Sequence, residues 1–90
     1  MALLTFFIGS YSQMLTPEII GEGEGIYTVQ LDETTGELNI LHAINVVNPS
    51  YLTISSDHKF LYCNTEVDAE FNPKVQAYKI NDDLSLSFLN

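Results

Sequence analysis

The sequence predicts an all-β fold, namely a β-propeller of four-stranded antiparallel blades, of which the 90-residue chain holds about two. Strand-forming Tyr, Phe, Val, Ile, Leu and Thr are plentiful, and no window keeps a helical period over the ~10 to 12 residues that a helix needs. A strand–turn–strand pattern recurs after about 50 residues, with 26–31 matching 75–80 and 38–41 matching 86–89. Between the two copies, residues 48–66 add two more short apolar runs.

The first repeat, residues 1–47, supplies three strands. The opening apolar run predicts a strand near 3–10, since it is short and lacks the basic start of a signal peptide. Strands near 25–31 and 38–44 form a hairpin around an acidic turn in which Gly36 is suited to positive φ. No innermost strand precedes the first one, so we expect this blade to borrow it from the far end of a closed ring.

The second repeat, residues 48–90, supplies four strands, near 50–55, 59–64, 74–80 and 85–89. We expect the first of these to be innermost in its blade and to pair with the second. The order along the chain is therefore b, c, d and then a, b, c, d. Because a closed ring needs about four to eight blades, we expect a fragment of a longer protein or a subunit that builds its ring from copies.

Charge and composition narrow the range of partners. Twelve acidic residues against three lysines and no arginine give a formal net charge of -9, which argues against nucleic acid and anionic membranes as partners. The single Cys63 has no partner for a disulfide or a metal pair, and neither His42 nor His58 stands at metal-ligand spacing from it. We therefore expect no metal, no cofactor and a cytoplasmic location.

Four segments of the chain resemble one known family. They are FFIGSYSQ, GEGIYTVQLDETTGEL, NPSYLTISSDHKFLYCNTE and VQAYKI. In this order and spacing they are similar to the first blades of the seven-bladed β-propeller lactonases, the family that includes bacterial 6-phosphogluconolactonase and fungal carboxymuconate cyclase. The chain departs from the family pattern where His58 replaces a turn glycine and where Thr65 separates Asn64 from Glu66.

The resemblance implies the N-terminal fragment of an enzyme that opens a sugar-acid lactone such as 6-phosphogluconolactone by attack of water, in carbohydrate metabolism and the pentose phosphate pathway. Hydrolysis needs a carboxylate or histidine base and cationic groups for the developing oxyanion and any phosphate. Because the chain has no arginine, we expect the remaining blades to supply that clamp and the fragment alone to be inactive. A non-catalytic interaction scaffold and a self-assembling blade repeat are the alternatives.

Candidate site residues come from one face of the predicted blades, where the loops from strand d to a and from b to c emerge together. The candidate substrate-binding residues there are Ser10, Tyr11, Asn48, Ser50 and Asn64. Glu66 is the candidate general acid or base, because it follows strand 59–64 where a carboxylate can border the channel. The alternative for Glu66 is a structural hydrogen bond. The expected partners are a small-molecule lactone and either the remaining blades or other copies, joined through exposed strand edges.

Other features have ordinary structural interpretations. The GEGEG run at 21–25 precedes a strand and not a helix, so we expect a flexible loop and not a phosphate cradle. Ser10 lies in Gly-Ser-Tyr and not in a nucleophile elbow, which argues against a nucleophilic serine. We expect His42 at a strand end, His58 in a turn, and Cys63 as a small buried hydrophobic residue.

Overall fold

The computed structural model describes residues 2–90, which form nine β-strands and one short 3₁₀ helix. The strands are β1 Leu3–Gly9, β2 Met14–Thr16, β3 Ile19–Ile20, β4 Gly25–Asp32, β5 Glu37–Asn45, β6 Leu52–Ile54, β7 Phe60–Asn64, β8 Val75–Ile80 and β9 Leu86–Phe88, and the helix is Ala69–Phe71. All seven predicted strands are confirmed, with ends that shift by one or two residues. The predicted boundary of the first blade at residue 1 lies outside the described residues.

Two antiparallel sheets carry the fold. The first sheet has the order β1-β4-β5 and the second the order β6-β7-β8-β9, while β2 and β3 form a separate small hairpin. This confirms the all-β class and the order b, c, d and then a, b, c, d. As predicted, β6 pairs with β7, and β6 forms one edge of its sheet. Within the described residues β1 pairs only with β4, so its other edge is free.

The pairing register repeats between the sheets. Val29 pairs with Ile40 in the first sheet, and Tyr78 pairs with Phe88 in the second. These are the positions that the sequence repeat aligns, so both outer hairpins place the same alternate residues on the same face. The repeat in sequence is therefore a repeat in structure.

A β-bulge distinguishes the first hairpin from the second. Thr28 pairs with His42 and Val29 with Ile40, which leaves Leu41 as the extra residue. The prediction that His42 stands at a strand end is wrong, because His42 lies inside β5. Its Nε2 is 2.8 Å from the carbonyl oxygen of Asp83 in the turn before β9, so the ring joins the two sheets.

The core lies between the two sheets. Its buried residues are Ile26, Val46, Leu61, Cys63 and Tyr78. Cys63 is buried as predicted, and this desolvation raises the pKa of its thiol. Near the core, the Thr28 hydroxyl donates a hydrogen bond of 2.8 Å to the Leu84 carbonyl. Burial of ordinary apolar side chains thus fixes the sheets against each other, as the repeat predicts.

The outer faces of both sheets are apolar and exposed. On the first sheet they expose Leu4, Ile8, Leu38 and Ile40, and on the second Tyr51, Tyr62, Val75 and Leu89. Such faces normally pack on a neighbouring sheet. Both outer faces therefore leave apolar side chains exposed.

The small hairpin of β2 and β3 was not predicted. Its turn is held by the Thr16 hydroxyl, which accepts hydrogen bonds from the backbone N–H groups of Glu18 at 3.3 Å and Ile19 at 3.2 Å. Both strands are too short for a periodic signal. The 3₁₀ helix in the equivalent connection of the second sheet is the only helix in the described part of the chain, and no helix there is long and apolar enough to span a bilayer.

Candidate functional site

A hydroxyl clamp closes the same end of both sheets. In the first sheet Ser10 Oγ donates to the Gly25 carbonyl at 3.0 Å and accepts from the Gly25 N–H at 3.3 Å. In the second, Thr65 Oγ1 donates to the Lys74 carbonyl at 3.4 Å and accepts from the Lys74 N–H at 2.9 Å. The Ser10 hydroxyl, predicted to bind substrate, is therefore engaged in holding its own strand pair closed.

Tyr11 and Glu66 occupy equivalent positions directly after these clamps. Each stands two residues beyond its strand, β1 ending at Gly9 and β7 at Asn64. The two side chains meet, because Tyr11 Oη donates a hydrogen bond of 3.0 Å to Glu66 Oε1. The structure thus joins the candidate acid or base to a predicted substrate-binding residue from the neighbouring sheet.

The Tyr11–Glu66 contact changes the chemistry of the phenol. The hydrogen bond to Glu66 raises the pKa of Tyr11, and desolvation and the nearby negative charge act in the same direction. Tyr11 therefore stays a neutral donor to the carboxylate at neutral pH. Because the bond uses Oε1 of Glu66, the second oxygen can still accept a proton from a water molecule.

Asn48 lies beneath this contact. Its side chain is 0% exposed. Oδ1 accepts hydrogen bonds from the N–H groups of Ser12 at 2.9 Å and Gln13 at 3.1 Å, and Nδ2 donates to the Glu66 carbonyl at 3.1 Å. The structure places this predicted substrate-binding residue under the candidate site, with its amide bonded to the surrounding loops.

Asn64 and Ser50 form a second polar cluster, at the entry of β6. Asn64 Oδ1 accepts from the N–H groups of Ser50 at 3.1 Å and Tyr51 at 2.8 Å, and Asn64 Nδ2 donates to Ser50 Oγ at 2.9 Å. These bonds hold the chain entering β6 beside the end of β7. Ser50 is exposed and Asn64 is half-buried, so Ser50 is the more accessible member of this pair.

The six predicted site residues therefore separate into three groups. Tyr11, Glu66 and Asn48 form one connected cluster, Ser50 and Asn64 form another, and Ser10 belongs to a strand clamp. Sequence position alone could not separate them, because all six lie at strand ends or in the loops that follow on one face. The clamp did carry a signal, namely a hydroxyl residue after each of two equivalent strands.

Two concavities open beside the Tyr11–Glu66 cluster. One of about 390 Å³ is lined by Glu66 and Lys74 among others. A larger groove of about 510 Å³ lies between the β2–β3 hairpin and the loop that carries the 3₁₀ helix, with Met14 and Phe71 in its walls. Sequence reasoning missed Lys74, one of the three lysines of the chain, which lines the same concavity as Glu66.

The GEGEG run is packed and not free. The N–H of Gly21 donates to the Gln13 carbonyl at 3.1 Å, and that of Gly23 to the Tyr11 carbonyl at 3.0 Å. A Cβ at Gly21 would clash with the Tyr11 backbone, and one at Gly23 with the Ser10 side chain. The expectation of a flexible loop is wrong, because these glycines permit close approach of two chain segments.

No group of three or more His, Cys, Asp or Glu side chains suited to a metal ion occurs among residues 2–90. The described site consists of hydrogen-bonding groups: one carboxylate, one phenol and the Asn48 amide.

The chain is similar to one known protein family and to solved structures. The family described as "Lactonase, 7-bladed beta-propeller" matches residues 5–90. A solved structure titled "putative 6-phosphogluconolactonase" from Bacteroides fragilis is 35% identical with a TM-score of 0.78, covering 98% of this chain and 23% of that chain. Another with the same description, from Bacteroides uniformis, is 28% identical with a TM-score of 0.81, covering 98% of this chain and 24% of that chain. No curated protein gives a significant match. The chain spans about a quarter of the length of both structures.

Proposed function

Since the chain belongs to the seven-bladed β-propeller lactonase family, we propose that its two sheets are neighbouring blades of one propeller domain that hydrolyses a sugar-acid lactone such as 6-phosphogluconolactone. The names of the two similar solved structures support this substrate. The lone thiol of Cys63, which is free and buried, is compatible with the reducing cytoplasm in which such metabolism takes place.

The hydrogen bond between Tyr11 and Glu66 is the observation that carries this proposal. In the proposed reaction Glu66 acts as general base and takes a proton from water, whose oxygen attacks the lactone carbonyl carbon. The carbon–oxygen bond of the ring then breaks, and the ring oxygen leaves as a hydroxyl after accepting the proton held by Glu66, which restores the carboxylate. Tyr11 holds the carboxylate in place through Oε1.

Substrate recognition is shared between this chain and the remaining blades in our proposal. Lys74 lines the concavity beside Glu66, and exposed Ser50 offers a hydroxyl. One lysine is too little for both an oxyanion and a phosphate, because each needs several donors or charges. The remaining cationic groups therefore come from blades outside these 90 residues, and the chain alone is inactive.

The partners of this chain follow from its surfaces. The free edge of β1 and the apolar outer faces of both sheets match the contacts that further blades of the same protein make. Without those blades, the same surfaces drive association between copies of the chain. Sedimentation of the 90-residue chain at low micromolar concentration is expected to show oligomers, and a compact monomer with a cooperative thermal transition would contradict this.

A chimera tests the proposed activity. The aligned 23% of the Bacteroides fragilis protein is replaced by this chain, and release of acid from 6-phosphogluconolactone is followed for the parent, the chimera and the isolated chain. We expect turnover by the parent and chimera, and only the spontaneous rate with the isolated chain. In the chimera, Glu66→Gln should lower kcat at least about a hundredfold, whereas Glu70→Gln, a nearby exposed carboxylate, should not. An active Glu66→Gln chimera would overturn the proposed role of Glu66.

A further inference from the structure

We infer that Asn48 is a positioning residue that fixes the geometry of the Tyr11–Glu66 pair by joining the loops after β1 and β7. The hydrogen bonds in the structure support this inference directly. The importance of the pair for hydrolysis rests on the function proposed above, whereas the positioning itself does not.

Asn48 holds the loop after β7 at two points. Its Nδ2 donates to the Glu66 carbonyl at 3.1 Å, and its own carbonyl accepts from the Glu66 N–H at 2.9 Å. Both backbone groups of Glu66 are therefore bonded to one residue. Because the backbone of Glu66 carries the carboxylate to its hydrogen bond with Tyr11, fixing that backbone limits where the carboxylate can lie.

The loop after β1 is held in the same manner. Oδ1 of Asn48 accepts from the Ser12 N–H at 2.9 Å, and the Asn48 N–H donates to Ser12 Oγ at 3.1 Å. Ser12 Oγ in turn donates to the Val46 carbonyl at 2.6 Å. Since Tyr11 directly precedes Ser12, these bonds set the position from which the Tyr11 ring reaches Glu66.

Asparagine is suited to this position for two physical reasons. Its backbone has φ of 41°, a left-handed conformation that Asn tolerates better than most residues. The buried site also uses an acceptor toward Ser12 and a donor toward Glu66 on one short side chain. Aspartate has the acceptor without the donor, and alanine has neither.

The titration of Tyr11 tests the inference without any assay of activity. Tyrosine is labelled with ¹³C at Cζ, and Tyr11→Phe identifies the resonance of Tyr11 among those of the five tyrosines. Asn48→Gly removes the side chain and keeps the positive φ free of strain. We expect the raised pKa of Tyr11 to fall toward its ordinary value of 10.0 as the phenol separates from Glu66.

Asn72→Gly is the matched control. Asn72 is also an asparagine at positive φ, 62°, and it lies in the exposed end of the 3₁₀ helix. This variant should leave the Tyr11 titration unchanged. A folded Asn48→Gly chain with an unchanged Tyr11 titration would overturn the inference. So would an Asn72→Gly variant that lowers the pKa of Tyr11 equally.

A second variant decides the case in which Asn48→Gly fails to fold. Ser12→Ala removes only the hydroxyl that links Asn48 to Val46, and it should also lower the pKa of Tyr11, by less. An unchanged titration in folded Ser12→Ala would then overturn the inference. Measured in the chimera, a shifted Tyr11 titration with unchanged kcat would confirm positioning by Asn48 and contradict the catalytic role of Glu66.

Discussion

The two sheets end alike as far as the hydroxyl residue that follows β1 or β7, and they differ beyond that residue. Ser10 and Thr65 make the same hydroxyl clamp, to Gly25 and Lys74 respectively. In the first sheet the connection continues into a hairpin that packs on its own glycine run, whereas in the second it runs through a single 3₁₀ turn. The shared part closes a strand pair, and the part that differs carries the carboxylate of Glu66 and the phenol of Tyr11.

The repeat constrains the sequence only as far as the clamp. In both sheets a hydroxyl closes the same strand pair, and the equivalent positions keep it. Beyond the clamp, each loop meets different neighbours, and equivalent positions become a phenol in one sheet and a carboxylate in the other. Chemistry that depends on two unlike groups can therefore arise from two like strands.

Gly25 and Lys74 occupy equivalent positions, but we expect substitution by alanine to be tolerated only at Lys74. The change at Gly25 should have the largest effect on stability. Gly25 has φ of 137°, and a Cβ there would clash with the backbone of Val46. We expect Gly25→Ala to lower the free energy of unfolding by about 3 kcal/mol, from backbone strain and steric overlap together. Lys74→Ala should cost less than about 0.5 kcal/mol, since its side chain is exposed. Urea unfolding of the two variants measures both, and equal losses would refute the proposed difference.

Removal of either clamp hydroxyl, by contrast, should lower the stability of the chain by a similar amount. Ser10→Ala and Thr65→Val each remove one donor and one acceptor and leave a backbone N–H, of Gly25 or Lys74, without its partner. We expect each change to cost about 1 to 2 kcal/mol, because an unsatisfied, partly buried N–H bears its desolvation penalty. Ser56→Ala, at an exposed position, is the control. A loss confined to one clamp would show that the two sheet ends are not equivalent.

The division between shared strands and differing loops also explains which features could be predicted from the sequence. Strand identity and register were predictable because Val29 with Ile40, and Tyr78 with Phe88, repeat a pattern set by burial on one face. The Tyr11–Glu66 bond was not, since it joins loops 55 positions apart whose approach depends on the packing of both sheets. The six candidate site residues could not be divided by sequence into the three groups that their hydrogen bonds define. His42 was misplaced because a single-residue bulge leaves no periodic signal.

Positive φ angles also distinguish the sheets. In the first sheet they fall on Gly25 and Gly36, whereas in the second they include His58 at 60°. A left-handed residue other than glycine costs about 1 to 2 kcal/mol, and the greater freedom of glycine in the unfolded chain offsets about half of that. Because the His58 side chain is exposed, we expect His58→Gly to stabilise the chain by about 0.5 to 1 kcal/mol. Ser56→Gly in the same turn, where φ is not positive, should destabilise it. A loss of stability in His58→Gly, measured by the same urea unfolding, would contradict this account.

The smallest expected effect on stability is its loss in acid, which should arise in the turns of the second sheet. The Ser85 hydroxyl and N–H donate to the Asp83 carboxylate and lower the pKa of Asp83, and the Ser55 hydroxyl and the Lys59 N–H do the same for Asp57. A carboxyl group with a pKa below its unfolded value of 3.8 stabilises the fold above that pH, and the contribution disappears as the pH falls through the lowered pKa. The effect is modest, because both groups are exposed and screened by solvent.

We therefore expect the urea midpoint to fall with acidification below about pH 4. The Asp83→Asn substitution should flatten that fall while lowering the midpoint at pH 7. Asp82→Asn, at the exposed neighbouring position, should leave the pH profile parallel to that of the unsubstituted chain. If Asp82→Asn flattens the profile as much as Asp83→Asn, the Ser85 contacts are not its cause.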